Sequence, residues 1–418
     1  MSSVIMRHYW GAPSGGALVG DVAALALEKA GFKPVISGTF KFDPSLHKEW
    51  YGIDISKYKT YTLTSFTIFG LMLTAFSWVP AKKAVKQENA RLLFTDLGLY
   101  KPIKEDFKNL KVFEYIHFPA EAFYEEKYRY LGFYYKDTNF ISSRYSRFPF
   151  NLYYETYIRF FKKYNRKNPF EDADMVVTNS KWTAKIAKEI YGEEPPALYS
   201  PLSPKIKIVE KPKSFDERKD MVFMLGRFSS DKRYDWVIEN IAIKLKESKV
   251  KLVIAGSAVL KVQLDYLNYC YKKAVNLGLN ATIVSEENKV NQALTEDYDV
   301  IFLPNASRDL INYLMDNSKV FFHATIHEHL GAAIAEAMAR GLPVVVYKSG
   351  GAWMDLAKEG YYGLGYENEQ EAVENIMKFI KDKGAAELYY QRSLERGREL
   401  GIENFEKELI ATLKKILP

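Results

Sequence analysis

The chain has 418 residues, too many for one ordinary domain, so two domains of about 150–200 residues are expected. Apolar residues make up 47%, enough for a sizeable core, which excludes a disordered or fibrous chain. The net charge of +7 suits anionic partners such as phosphates, nucleic acid or acidic lipid, and a single cysteine, Cys270, excludes an internal disulfide and points to a reducing compartment.

The first residues, "MSSVIMRHYWGAPSGG", lack the long apolar core of a signal peptide. "GGALVGDVAALALEKAG" has apolar residues at helical spacing and stops at Gly31. "KPVISG", "ARLLFTD" and "KVFEYIHFP" read as strands. Residues 61–80, "YTLTSFTIFGLMLTAFSWVP", contain no charge and are long enough to span a bilayer. Thr62, Thr64, Ser65, Thr67, Thr74 and Ser77 dilute that hydrophobicity, so a helix lying in a membrane interface and a buried strand–loop–helix unit are the competing readings.

Residues 121–170 interleave Tyr and Phe with ten Lys/Arg against five Asp/Glu. That mixture fits Tyr-rich helix packing or a membrane headgroup layer; no nucleic-acid motif accompanies it. "ADMVVTNS" reads as a strand running into the helix "SKWTAKIAKEIYG", capped by Asn179 or Ser180. Five prolines between 195 and 212 mark an extended connection. Beyond it, "MVFMLGRF", "VKLVIAG", "ATIVSE", "YDVIFLP", "KVFFHAT" and "LPVVVYKSGG" read as parallel strands buried on both faces. The expectation is two doubly wound α/β domains, 1–204 and 205–395, followed by a helix in 396–418.

The stretch "EHLGAAIAEAMARG" carries Glu328 and Glu336 in an otherwise apolar run. A helix is expected from Leu330 or Gly331, with Leu330, Ile334, Ala337 and Met338 on one face and Ala332, Ala333, Glu336 and Ala339 on another. Glu328 falls in the strand-to-helix loop, at the sheet edge where open α/β folds bind ligands and where free helix amides suit phosphate. Spacing alone leaves two readings: carboxylates bracketing a phosphorylated sugar, or a solvated helix face with an acidic N-terminus. "DAD" at 172–174 spells a metal-binding Asp-x-Asp but leads straight into the strand "MVVTNS", and "HATIHEH" lacks a standard zinc spacing, so no metal site is expected.

"EHLGAAIAEAMARGLPVVVYKSGG" resembles the glutamate–seven–glutamate motif of retaining GT-B glycosyltransferases of family 4. The resemblance implies the GT-B fold, two Rossmann-like domains facing a cleft, with the acceptor on the N-terminal domain and the nucleotide sugar on the C-terminal one. It implies that Glu328 contacts the donor sugar, that Glu336 bonds the ribose, and that Leu330 and Gly331 offer backbone amides. "GRFSSDK" resembles the family's diphosphate clamp, here Arg227 and Lys232; "PSGGALVGD" its glycine loop, here Gly15 and Gly16; and "YIHFP" places His117 at a sugar-contacting position. The last helix is expected to pack back on the N-terminal domain.

"FHATIHEHLG" and "SGGAWMDL", with His323, Glu328, His329 and Asp355, are similar to one branch, the GDP-mannose-dependent α-1,2-mannosyltransferases of lipid-linked oligosaccharide assembly. That branch implies GDP-mannose as donor, no cofactor, a lipid-linked glycan or glycolipid acceptor, and a cytoplasmic, peripheral place on the inner membrane face. A UDP-sugar-dependent transferase, a GT-B sugar-nucleotide epimerase and a non-catalytic sugar-nucleotide or glycan-binding protein are the alternatives.

Overall fold

The computed structural model describes residues 2–66, 68–128 and 147–417. Of these, the residues before 129, 147–205 and those from Leu400 onward form one compact unit, and Ile206–Glu399 form a second.

The first unit is a six-stranded parallel sheet in the order β3-β2-β1-β4-β5-β6. Its strands are β1 (Ser3–Arg7), β2 (Lys33–Phe40), β3 (Lys59–Thr64), β4 (Leu92–Thr95), β5 (Lys111–Ile116) and β6 (Met175–Thr178). Successive residues of β1 feed opposite faces: Val4 and Met6 enter one core with helix α1 (Gly15–Lys29), while Ile5 enters the other. Ser14 caps α1 by accepting from the Ala17 amide at 3.1 Å, and Gly31 leaves the helix at φ +89°.

The uncharged segment divides into three pieces. Residues to Thr64 belong to β3, Gly70–Thr74 form the short helix α2, and Trp78–Gln87 form α3, which buries Ala81, Ala84 and Val85. No helix among the described residues is long and apolar enough to cross a membrane, so the bilayer-span reading falls; a strand, a loop and two helices stand there, but Phe66, Ile68 and Phe69 of the loop are exposed where a buried unit was expected. The Ser and Thr residues break the apolar run, and backbone pairing to β2 claims its first part. In the aromatic, basic stretch, residues 129–146 lie outside the described residues, and Phe150–Tyr164 form helix α4, none of whose side chains is fully buried. Helix α5 (Lys181–Tyr191) is capped by Ser180, which accepts from the Thr183 amide at 3.0 Å.

The second unit is a seven-stranded parallel sheet, β13-β12-β11-β7-β8-β10-β9. Its strands are β7 (Lys219–Leu225), β8 (Lys251–Gly256), β9 (Ala281–Ile283), β10 (Val300–Pro304), β11 (Ser318–His323), β12 (Val344–Tyr347) and β13 (Leu364–Tyr366). Helix α6 is Arg308–Asn317, α7 is Ala332–Ala339, and α8 is Lys383–Glu399. Helix α9 (Ile402–Leu413) belongs to the first unit, where it buries Phe405, Leu409 and Leu413 in the core that α1 shares.

Candidate functional site

In each unit the strand order reverses at the first strand. β7 lies between β8 and β11, and β1 lies between β2 and β4. Chains leaving such a pair of strands diverge and open a crevice at their C-terminal ends. Most of the residues picked out in the sequence sit near these two places, while His117 follows β5 and Glu336 lies within α7.

In the second unit, Arg227 follows β7 and Glu328 follows β11. The β7 end is drawn close to β8: a Cβ on Gly256 would stand 1.7 Å from the Gly226 carbonyl oxygen. Only glycine allows that approach. The turn then brings Lys232 inward. Its ammonium donates to Glu328 Oε2 at 2.9 Å, and His323 Nε2 meets the same oxygen at 2.9 Å. A carboxylate can only accept, so the His323 proton lies on Nε2. Two further bonds tie the loops together, Thr325 Oγ1 to the Asp231 carbonyl at 3.1 Å and Arg233 to the Ala324 carbonyl at 3.2 Å.

Burial opposes charge on Glu328, but Lys232 and His323 outweigh it and hold the carboxyl well below the usual carboxylate range. Burial also pushes the Lys232 ammonium down, yet Glu328 and Asp231 leave it above its ordinary value. For His323, burial wins over Glu328 and favours the neutral ring. The site therefore holds one carboxylate, one ammonium and one neutral imidazole at a shared oxygen.

The glycines around Glu328 have separate jobs. Gly331, at φ +102°, precedes α7, and a Cβ there would meet Ile334 at 2.6 Å and Glu328 Cγ at 3.2 Å. Gly350 and Gly351 press onto the Glu328 loop from β12. The Gly351 amide donates to the Glu328 carbonyl at 2.8 Å, and Cβ atoms on Gly350 or Gly351 would come within 2.5 Å of that carbonyl or 2.1 Å of the His329 carbonyl. The paired glycines that end the motif thus clamp the backbone that carries the carboxylate.

Leu330 is buried, and α7 begins at Ala332 with Gly331 as its cap, one residue later than expected. Ala332 is exposed and Ala333 and Glu336 are half-buried, as the pattern suggests. Ala339 departs from it and is fully buried, because α8 crosses there: a Cβ on Gly397 would lie 2.5 Å from Ala339 Cα. Glu336 does not join the Glu328 cluster but pairs with Arg308, the first residue of α6, at 2.7 Å. Arg227 is exposed, beside the loop that carries Lys232. Arg308, Thr325 and Arg233 were missed in the sequence; an arginine opening a helix after a strand is the one signal that Arg308 offered.

In the first unit, Gly16 and His117 come together with two residues not singled out before. Asp96 Oδ2 lies 2.6 Å from His8 Nδ1 and 3.1 Å from His117 Nε2. Both histidines and the carboxylate press on Gly16, where a Cβ would meet them at 2.7, 3.1 and 3.3 Å. Burial resists the charge on Asp96, but the two histidines depress its pKa strongly. As a carboxylate it fixes the protons on His8 Nδ1 and His117 Nε2, leaving His117 Nδ1 as the partly exposed ring's other nitrogen. Gly15 has open space around its Cα.

Among the described residues, no group of three or more His, Cys, Asp or Glu side chains could hold a metal ion. Asp174 of the "DAD" run instead binds Lys104 and Lys111, each at 2.8 Å.

Residues 206–396 match the family described as Glycosyl transferases group 1. A GDP-Man:Man(3)GlcNAc(2)-PP-Dol alpha-1,2-mannosyltransferase of Eremothecium gossypii is 23% identical over 187 residues, 44% of this chain and 30% of that protein. An alpha-1,3/1,6-mannosyltransferase of Rhizomucor pusillus is 24% identical over 237 residues, 50% of each chain. The chain thus spans half or less of the length of these curated relatives. Among solved structures, Anabaena HepE in complex with UDP and glucose superposes with a TM-score of 0.67 at 16% identity, covering 99% of both chains. That likeness establishes the GT-B class of two Rossmann-like units.

Proposed function

Because residues 206–396 form a domain of the glycosyl transferases group 1 family, we propose that this chain transfers a hexose from a nucleotide sugar to a glycan acceptor. The sugar is mannose from GDP-mannose, and the acceptor is a lipid-linked glycan or glycolipid at the cytoplasmic face of a membrane. The names of the curated relatives support that donor and acceptor. The observation that carries the reading is Glu328, kept ionised between Lys232 and His323 just ahead of the N-terminus of α7.

The donor diphosphate lies against Arg227, Lys232 and the α7 amides. A nucleoside diphosphate leaves with growing negative charge, which two cations and a helix dipole offset. Glu328 orients the sugar and offsets the positive charge that develops at the anomeric carbon. The leaving phosphate oxygen accepts the proton of the attacking hydroxyl on the same face, so the anomeric configuration is retained. Leu330 and Gly331 lend backbone amides. Glu336 bonds the ribose hydroxyls, with Arg308 fixing its carboxylate. The first unit takes the acceptor, at Gly15, Gly16 and His117. No cofactor is required.

The test is the melting temperature of wild type and Glu336→Ala with GDP-mannose, GDP, UDP-glucose and UDP-N-acetylglucosamine, since a ligand of the folded state raises it by mass action. The expected result is a rise with GDP and GDP-mannose that the variant loses. A rise with UDP-sugars alone would keep the transferase and replace the donor. No rise with any nucleotide would sink the donor-site assignment.

A further inference from the structure

We propose that the first unit docks on an anionic membrane through the loop between β3 and α2 together with the start of α4; this rests on a lipid-borne acceptor. Phe66, Ile68 and Phe69 are 71%, 70% and 69% exposed, three large apolar side chains on one loop. Isolated exposed apolar residues are ordinary, but a cluster marks a surface that meets another apolar phase. The loop is also held in shape. Phe69 sits at φ +60°, a backbone region that bulky residues rarely adopt, while its carbonyl accepts the first helical bond of α2 from Leu73 at 3.1 Å.

Helix α4 extends the same surface. The Tyr153 hydroxyl accepts from the Met72 amide at 2.9 Å, and its ring lies 6.0 Å from that of Phe69. Just before and within the first turn of α4, Phe148 is 82% exposed and Leu152 is 56% exposed. Arg147 stands exposed beside Phe148, and Arg159, Lys162 and Lys163 are exposed in the later turns of α4, against one acidic residue of the helix, Glu155. A protein partner would suit the apolar groups alone. Apolar tips flanked by cations fit a lipid interface, where the tips enter the acyl boundary and the cations meet headgroup phosphates. The loop sequence has no charged residue, so insertion costs only its polar backbone and the hydroxyls of Ser65 and Thr67.

The experiment is flotation of the full chain with vesicles of phosphatidylglycerol and phosphatidylcholine, or of phosphatidylcholine alone. Wild type is expected to float with the anionic vesicles at least tenfold more than with the neutral ones. Phe66→Ser/Ile68→Ser/Phe69→Ser should lose that binding at every salt concentration, and Lys162→Glu/Lys163→Glu should lose it most at low salt. Both variants should keep the wild-type melting temperature, because the replaced side chains are exposed. Wild type that stays unbound, or a triple variant that floats as wild type does, overturns the proposal. A wild-type dimer that the triple variant dissolves, without flotation, assigns the surface to a second copy and also overturns it. The nucleotide-induced melting shift on the same samples separates the two readings: flotation without that shift removes the transferase and leaves the membrane surface.

Discussion

In the second unit, one oxygen of Glu328 accepts from both Lys232 and His323. Glu328→Gln keeps the shape but loses the charge, and turnover should fall about 100-fold or more. The nucleotide-induced melting shift should survive, which separates chemistry from folding. Acid should act through the same carboxylate. Its folded pKa is depressed, so its contribution to stability is present above the unfolded carboxylate pKa and is lost as pH falls through the folded one. His323, whose pKa is also lowered, adds to that loss once pH drops below the ordinary imidazole range. The Glu328→Gln protein should therefore lose less stability than wild type between neutral and acid pH, read from urea midpoints. Equal losses would mean that Glu328 is already protonated in the fold. Asp96 acts through its neighbours: Asp96→Asn offers an N–H to one of the two rings and should let His117 turn. Activity should drop about 100-fold through misplacement, with acceptor KM rising and the nucleotide shift unchanged. A purely structural Asp96 would instead lower the melting temperature and leave acceptor KM alone.

The elements around Glu328 explain why a run of small residues carries a carboxylate. The loop between β11 and α7 has no room for side chains where the glycines that follow β12 press on it, so Gly331, Gly350 and Gly351 set its path. Gly331→Ala adds a methyl at φ +102° and 2.6 Å from Ile334, and should cost about 1–3 kcal/mol by urea unfolding. It should also move Glu328, so activity should fall further than stability. Wild-type activity in that variant would show that the loop re-forms around the extra carbon. The helix period of this motif was legible, because Ile334, Ala337 and Met338 repeat at helical spacing and all are buried. Ala339 was misplaced because α8 covers it from 58 positions further along the chain, through Gly397. The uncharged segment was open to three readings because composition cannot say where backbone pairing stops; Thr64 ends β3, and the apolar residues beyond it are left outside.

On the scale of the whole molecule, the chain's end returns to its beginning. Leu409 of α9 is buried in the core that α1 lines, and Lys29 of α1 bonds Glu406 at 2.6 Å. Leu409→Ala should cost about 2–5 kcal/mol of unfolding free energy. The loss should fall on the first unit and leave nucleotide binding to the second at its wild-type level. A lost nucleotide shift would show that the two units unfold as one. What the sequence by itself determined is local: two sets of buried strands, the capped helices and the glycine-bounded motif that carries Glu328 and Glu336, whereas Arg227, Lys232, Gly15, Gly16 and His117 were candidates only through the family resemblance. Periodicity and turn chemistry are properties of neighbouring residues, and they survive in a single string. The tertiary structure alone decided which of these residues meet. Lys232 is 96 positions from Glu328, Arg308 is 28 from Glu336, and His8 is 88 from Asp96. Each pairing depends on the order of strands in a parallel sheet, set by crossovers between distant segments, and no local period encodes that order.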